Sequence, residues 1–262
     1  MESIKISAVI VTFNEEHNIE RCLQSLQNVA DEIVVVDSGS TDKTEEICIC
    51  FGAKFVFQKW LGYGEQKNFA NTLAQCDYIL SLDADEALSD TLKKSILKVK
   101  GNNVADAYSM NRLTNFCGKK WIRHCGWYPD TKIRLWKKNR AEWSLDKVHE
   151  YLLLNAKTKT HFLNGDILHY TCDTISEQVA KENQYSDLMA KDKYEQGVKA
   201  SIMKIIYKTI WRFVHSYFVR LGFLDGYYGF IVCNICAWGT FLKYVKLRQL
   251  HLDHKIRHQK SI

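Results

Sequence analysis

"ILSLDADEALS", residues 79–89, is the stretch on which the fold turns: an apolar run of strand length ends on Asp83, Asp85 and Glu86 within four residues. Carboxylates that close a buried strand need a compensating charge, because an isolated one cannot stay ionised out of water. Asp83 and Asp85 stand at i and i+2, so both side chains reach one small region of an extended or turning backbone. Hard cations such as Mg2+ or Mn2+ prefer carboxylate oxygens and take one or two from the protein while substrate phosphates fill the shell. Asp-x-Asp at a strand end therefore implies a metal and a nucleotide diphosphate together. The plainer alternative is a solvated turn before the helix that Ser89 caps.

Outward from this point the chain alternates. "ISAVIVTF" (residues 6–13) is a β-branched strand, and "NEEHNIERCLQSL" follows with Ile19, Cys22, Leu23 and Leu26 at helical spacing behind an Asn14 cap. "EIVVVD" is a second strand, "SGSTDKTEEI" enters a helix with Asp42 and Glu45 spaced as in a capping box, and "AKFVF" is a third. A short helix over about 65–74 precedes the fourth, "YILSLD". Such alternation builds a parallel sheet covered on both faces, with ligands beyond the carboxyl ends of its strands. Those ends carry Thr12 and Asn14, Asp37, and the pair Asp83 and Asp85. From about Ala105 the rhythm changes to the strand-like "DAYSMNRL", "KIRLW", "KVHEYLLL" and "DILHYT", and after Thr174 the pattern is helical. The expected organisation is a nucleotide-binding α/β half over 1–105, a half of the same domain with a second ligand surface over 106–173, and a helical extension over 174–262.

The totals exclude several classes. With 262 residues, 46% hydrophobic and 25% charged, the chain is neither a stapled mini-domain nor disordered. Its nine cysteines are scattered and odd in number, which reads as free thiols in a reducing compartment. Cys22, Cys48, Cys50 and Cys76 are expected in the core, and Cys233 with Cys236 as buried filler. No GxxxxGK[ST] or GxGxxG occurs, so the nucleotide is not held as in a P-loop or Rossmann protein. The opening "MESIKISAVIVTFNEE" lacks the basic start of a secretory signal, and a cytoplasmic protein is expected. The net charge of +6 is regional: beyond Lys199 the acids are Asp225 and Asp253. That asymmetry points to an anionic partner near the C-terminus. Without a recognised nucleic-acid motif, nucleic acid is not the expected partner.

"VIVTFNEEHNIERCLQSL", "DEIVVVDSGSTDKT", "GYGEQKNFA" and "YILSLDADE" together resemble the family-2 glycosyltransferases of the GT-A fold, without a gap over roughly the first hundred residues. The resemblance implies a mostly parallel central sheet flanked by helices, with Mg2+ or Mn2+ and a UDP-sugar bound. It implies donor-binding roles for Thr12, Asn14, Glu15, Asp37, Lys67, Asn68 and Asp83, and metal ligation by Asp85 with Asp83. "DKVHEYLLL" and "GWYPDTKIRLWKK" are similar to the subgroup that includes the lipopolysaccharide-core glycosyltransferases. Carried over, that likeness makes Glu150 the base that deprotonates the acceptor hydroxyl, with His149 beside it; Asp146 is the runner-up.

His169 is a candidate extra metal ligand, against the plainer reading of a hydrogen-bonded strand histidine. Trp127, Tyr128, Arg134 and Trp136 combine flat rings with guanidinium groups, which suits a phosphorylated or acidic sugar acceptor; an aromatic core is the competing reading. Residues 221–242 are aromatic and nearly uncharged between clusters of Lys and Arg, and are expected to form a helical hairpin lying on the inner leaflet of the cell membrane. The function expected is an inverting, metal-dependent transfer of a hexose, glucose first, to a lipid-linked glycan such as lipopolysaccharide core. A nucleotidyltransferase and a non-catalytic glycan-binding scaffold are the rivals.

Overall fold

The computed structural model of the protein describes residues 3–145 and 151–259. In chain order it contains β1 (Ile6–Thr12), α1 (Ile19–Leu26), β2 (Glu32–Asp37), α2 (Thr44–Cys50), β3 (Lys54–Phe57), α3 (Tyr63–Thr72), β4 (Tyr78–Asp83), β5 (Glu86–Leu88) and α4 (Asp90–Gly101). There follow β6 (Ala107–Phe116), β7 (Lys120–Ile122), β8 (Asp130–Lys137), β9 (Ala141–Trp143), β10 (Leu152–Leu154) and β11 (Thr160–Tyr170). Helices α5 (Ile175–Glu195), α6 (Ile202–Val214) and α7 (Gly226–Gln259) complete the chain.

The contacts divide into two compact units, one of Met1–Leu113 with Pro129–Tyr170 and one of Thr114–Tyr128 with Thr171–Ile262. The extension expected over 174–262 falls within the second unit, which also takes in residues 114–128.

In the first unit the sheet runs β3-β2-β1-β4-β8-β6-β11-β5. The pairs β1–β2, β1–β4 and β2–β3 are parallel, whereas β8 joins β4 and β6 antiparallel and β11 joins β5 antiparallel. Alternation along β1 explains its continuous apolar sequence: Ile6, Ala8 and Ile10 pack with Leu23, Leu26, Leu92 and Ile96 of α1 and α4, while Val9 packs on the other face with Ala70, Trp136 and Trp143. Each fully buried Leu or Ile contributes about 2 kcal/mol of transfer free energy. Ser89 caps α4, accepting from Leu92 N at 3.3 Å. The same hydroxyl accepts from Asp166 N at 3.0 Å, and Gly165, at φ +104°, lies so close to α4 that a Cβ there would meet Leu92 N at 2.3 Å.

Three local readings need correction. Asn14 does not cap α1; it sits at φ 54°, its Oδ1 accepts from Thr41 N, and the helix starts after Asn18. Asp42 and Glu45 make no capping box, because Asp42 accepts instead from Thr44 N, the Thr44 hydroxyl and Glu16 N. Cys50 is exposed, on the outer face of α2, although all nine cysteines are free as expected.

In the second unit, Phe116, Ile122, Cys125, Cys172, Val232, Cys233 and Cys236 form one buried cluster. Cys233 and Cys236 are thus packing residues. Residues 221–242 do not form a hairpin of their own: one 3-10 turn, Gly222–Asp225, leads into the single 34-residue helix α7. Asp225 looks like an interruption in sequence, but it is buried and accepts from Arg123 N and His124 N at 3.1 and 2.8 Å, so it holds a loop rather than breaking a helix.

Candidate functional site

The carboxyl ends of β1, β2 and β4 lie side by side, with Thr12 opposite Asp37 and Val11 opposite Asp83. Winding passes from β1 outward through β2 and β3 and then returns to β4 on the far side of β1. A reversal of this kind opens the crevice in which open α/β sheets bind ligands.

The acids at the end of β4 meet their charges there. Lys67 of α3 lies 2.9 Å from Asp83 Oδ1, and Arg134 of β8 lies 3.0 Å from Asp83 Oδ2 and 3.0 Å from Glu86 Oε1. Arg112 of β6 approaches Glu86 Oε1 at 3.4 Å and Asp130 Oδ2 at 2.9 Å. Glu86 Oε2 also accepts from Asp83 N at 3.0 Å. Burial would push the Asp83 carboxyl up, but the Lys67 ammonium and the Arg134 guanidinium outweigh it and hold Asp83 far below the usual carboxylate range. The indole of Trp143 backs the cluster, its ring centre 4.7 Å from Lys67 Nζ and 5.7 Å from the Arg134 guanidinium carbon.

Asp85 differs from its neighbours. Its Oδ2 lies 3.2 Å from Nε2 of the His169 imidazole. The antiparallel pairing of β11 with β5 sets His169 opposite Glu86, and Tyr170 N donates to Asp85 O at 2.9 Å, which fixes imidazole and carboxylate together. Among the described residues no group of three His, Cys, Asp or Glu side chains has the arrangement to cage a metal alone. A carboxylate with one imidazole does suit a divalent cation that draws its remaining ligands from substrate and water.

Asp83, expected to share in ligation, has both oxygens on cations, which cancels the negative potential that a metal needs. Asp37 is 3% exposed and accepts from Gly39 N and Ser40 N, both at 2.7 Å, and from the Ser40 hydroxyl, so it shapes the loop after β2. Thr12 is buried, and its hydroxyl has no hydrogen-bond partner among the described residues. Glu15 and Asn14 lie on the loop beyond β1, where Glu15 N donates to the Thr44 hydroxyl. Asn68 donates to Trp143 O and accepts from Trp143 N at 2.9 and 2.8 Å, a positioning contact that fastens β9 to α3. Gly64 serves the same junction, since a Cβ there would overlap Ser144 O.

Of the acceptor candidates, Trp136 is completely buried between β8 and Trp143, so it is a core residue and does not reach a ligand surface. Arg134 is 4% exposed and serves the acids of β4 and β5 rather than an acceptor. Trp127 and Tyr128 belong to the second unit, where Trp127 packs on Phe116 and Tyr128 under Arg123. Glu150, His149 and the alternative base Asp146 lie outside the described residues. Arg112 and Glu86 are site residues that the motifs did not single out; the signal for Glu86 was its place in the same four-residue acid cluster.

The sequence pattern of Glycosyl transferase family 2 matches residues 7–172. An uncharacterized glycosyltransferase of Rickettsia bellii is 38% identical over 263 residues, covering 95% of this chain and 88% of the relative. The lipopolysaccharide core biosynthesis glycosyltransferase LpsC of Rhizobium meliloti is 30% identical over 266 residues, covering 95% of this chain and 93% of that protein. Among solved structures, glucosyl-3-phosphoglycerate synthase of Mycobacterium tuberculosis in complex with Mn2+, UDP and glucosyl-3-phosphoglycerate is 26% identical over 43% of this chain and 44% of its own, at a TM-score of 0.33, too low to carry weight. A match through the whole α/β region, together with near full-length likeness to named glycosyltransferases, makes this chain a member of glycosyl transferase family 2.

Proposed function

We propose that this glycosyltransferase moves a hexose, glucose in the preferred reading, from UDP to a lipid-linked glycan such as lipopolysaccharide core, with inversion, at the inner face of the cell membrane. The observation that carries this is the charge balance at the end of β4. Asp83 and Glu86 are matched by Lys67, Arg134 and Arg112, which leaves Asp85, beside His169, as the carboxylate for a divalent cation. Mg2+ or Mn2+ held by Asp85 and His169 would supply Lewis-acid neutralisation of the diphosphate charge as UDP departs.

The chain's own residues supply the rest. The unpartnered Thr12 hydroxyl, buried at the end of β1, is a donor or acceptor for the nucleoside, and Asn14, Glu15 and Asp37 build the loops around it. Lys67 and Arg134 keep Asp83 ionised as an acceptor for ribose hydroxyls. Glu150 takes the proton of the acceptor hydroxyl, with His149 beside it, on the strength of the His-Glu motif. The likeness to LpsC, a lipopolysaccharide core biosynthesis glycosyltransferase, supports a lipopolysaccharide-core acceptor. For the membrane, the segment Gly222–His254 is long and apolar enough to cross a bilayer, yet 44% of its window is buried against protein, which favours lying on the surface.

Calorimetric titration of UDP with and without Mn2+ tests the site, in the wild type and in Asp85→Asn. Metal-dependent UDP binding that Asp85→Asn removes is the expected result, followed by turnover of one UDP-sugar from a panel. Equal binding in both proteins, or release of pyrophosphate in place of UDP, overturns the reading.

A further inference from the structure

A cavity of about 410 Å3 opens at the surface of the helical unit, between α5, α6 and α7. Lys208 and Arg212 of α6 and Lys243 of α7 line it, against one carboxylate, Glu182 of α5. His215 lines it as well. Lys208 and Arg212 stand at i and i+4, where like charges repel along a helix. None of the three cations has a carboxylate within 4.0 Å among the described residues. Glu182 is set against α7 by Gly239, where a Cβ would come within 1.8 Å of Glu182 Oε1. Burial pushes the Glu182 carboxyl up, while Arg212 and Lys243 pull it back. Burial likewise pushes the Lys243 ammonium down, and Lys193, Arg212 and Lys208 push it further, against a partial pull upward from Glu182. Three cations gathered round a concave site with one acid are short of negative charge, and the ligand that relieves this is an anion carrying more than one oxygen.

The face beside the cavity says where that anion comes from. On α6, Ile202, Met203, Ile206, Tyr207, Ile210 and Trp211 are between 47% and 75% exposed, and Trp211 lines the cavity itself. They recur at helical spacing, so one side of α6 is an apolar stripe that leads to a cationic pocket. Phosphate joined to a hydrocarbon chain complements both parts, with the head on Lys208, Arg212 and Lys243 and the chain along the stripe.

We propose that the cavity between α5, α6 and α7 is a binding site for the phosphate headgroup of a membrane lipid, separate from the nucleotide-sugar site. It goes beyond the transferase reading and stands without it, because binding is measured with no nucleotide present.

The test is calorimetry of the full-length protein with dioctanoyl phosphatidic acid, dioctanoyl phosphatidylcholine and inorganic phosphate. Arg212→Gln and the double variant with Lys208→Gln are compared with Lys191→Gln, an exposed charge on α5 outside the cavity. The expected result is saturable binding of the phosphatidic acid that Arg212→Gln weakens at least about tenfold, the loss typical of one charge-assisted hydrogen bond. Lys191→Gln should bind as the wild type does, and Trp211→Ala should weaken the lipid without creating affinity for phosphate. Equal losses in Arg212→Gln and Lys191→Gln would mean diffuse electrostatics and overturn the pocket. Inorganic phosphate binding as tightly as the lipid overturns the lipid source, and absence of binding by all three probes overturns the site.

Discussion

Two charge clusters in this molecule are built on opposite plans. At the end of β4, acids and bases from four strands and a helix meet within hydrogen-bonding distance and cancel, except at Asp85. In the cavity of the helical unit, Lys208, Arg212 and Lys243 face one acid and no ion pair closes among the described residues. The first is a finished electrostatic structure with one opening, and the second is a structure that waits for a ligand. The difference teaches that a charge's energetic role depends on its partners more than on its sign. Removing charge should cost stability in the first cluster and cost none in the second.

The sharpest way to break this comparison is Arg134→Met. It leaves Asp83 and Glu86 short of their shared partner, and urea unfolding should show a loss of about 3–5 kcal/mol, the usual result of orphaning a buried charge. A loss near zero would mean that the cluster is not the finished structure described above.

Asp85→Asn sharpens it from the other side. On the proposed metal site, transfer from the UDP-sugar should fall about 10²-fold or more, since metal-assisted stabilisation of the departing charge would depend on that carboxylate. Unfolding should move by less than about 1 kcal/mol, because asparagine keeps a polar oxygen beside the His169 imidazole.

Asp83 adds a pH dependence. Its carboxyl is lowered in the folded protein, so its stabilising contribution is present above the unfolded value and is lost as pH falls through the folded one. Asp83→Asn should therefore cost about 2 kcal/mol at neutral pH, and the gap to the wild type should narrow below about pH 4. A gap that stays constant to strongly acid pH would contradict the assigned ion pairs.

The smallest effect belongs to the cavity. With no ligand, Arg212→Gln should leave unfolding unchanged or raise stability by about 0.3 kcal/mol, because it removes an i,i+4 repulsion with Lys208. Destabilisation by 1 kcal/mol or more would place Arg212 in the structural class of Arg134.

Much of the α/β region was legible in the sequence because continuous β-branched runs such as "IVVV" and "YILSL" have one stable use, a strand covered on both faces. The polar residues that end those runs marked the crevice. What stayed hidden depends on which strand pairs with which. His169 reaches Asp85 through an antiparallel partner of only three residues, β5, too short to show a period. Arg134 and Trp136 stand two apart on β8 and therefore share a face; once Trp136 is in the core, Arg134 is buried too and must find acids. A run of aromatic and basic residues reads as a ligand surface only until its period of two is taken into account. The tail misled in a similar way, since glycines in an apolar segment suggest a turn, whereas Gly239 is inside α7 to admit the Glu182 carboxylate.

The contact between Gly165 and α4 sets a limit on how the chain can change in length. β11 is pinned there by the missing Cβ and by the bond from Asp166 N to Ser89, and His169 follows four residues after the glycine. Side chains alternate along a strand, so one residue inserted or deleted between Asp166 and His169 would swing the imidazole to the opposite face of the sheet. The turn before β11, at Asn155 and Thr158, has no such fixed interval to the site and can absorb added residues. Distance counted along the chain, as much as the identity of His169, keeps the imidazole beside Asp85.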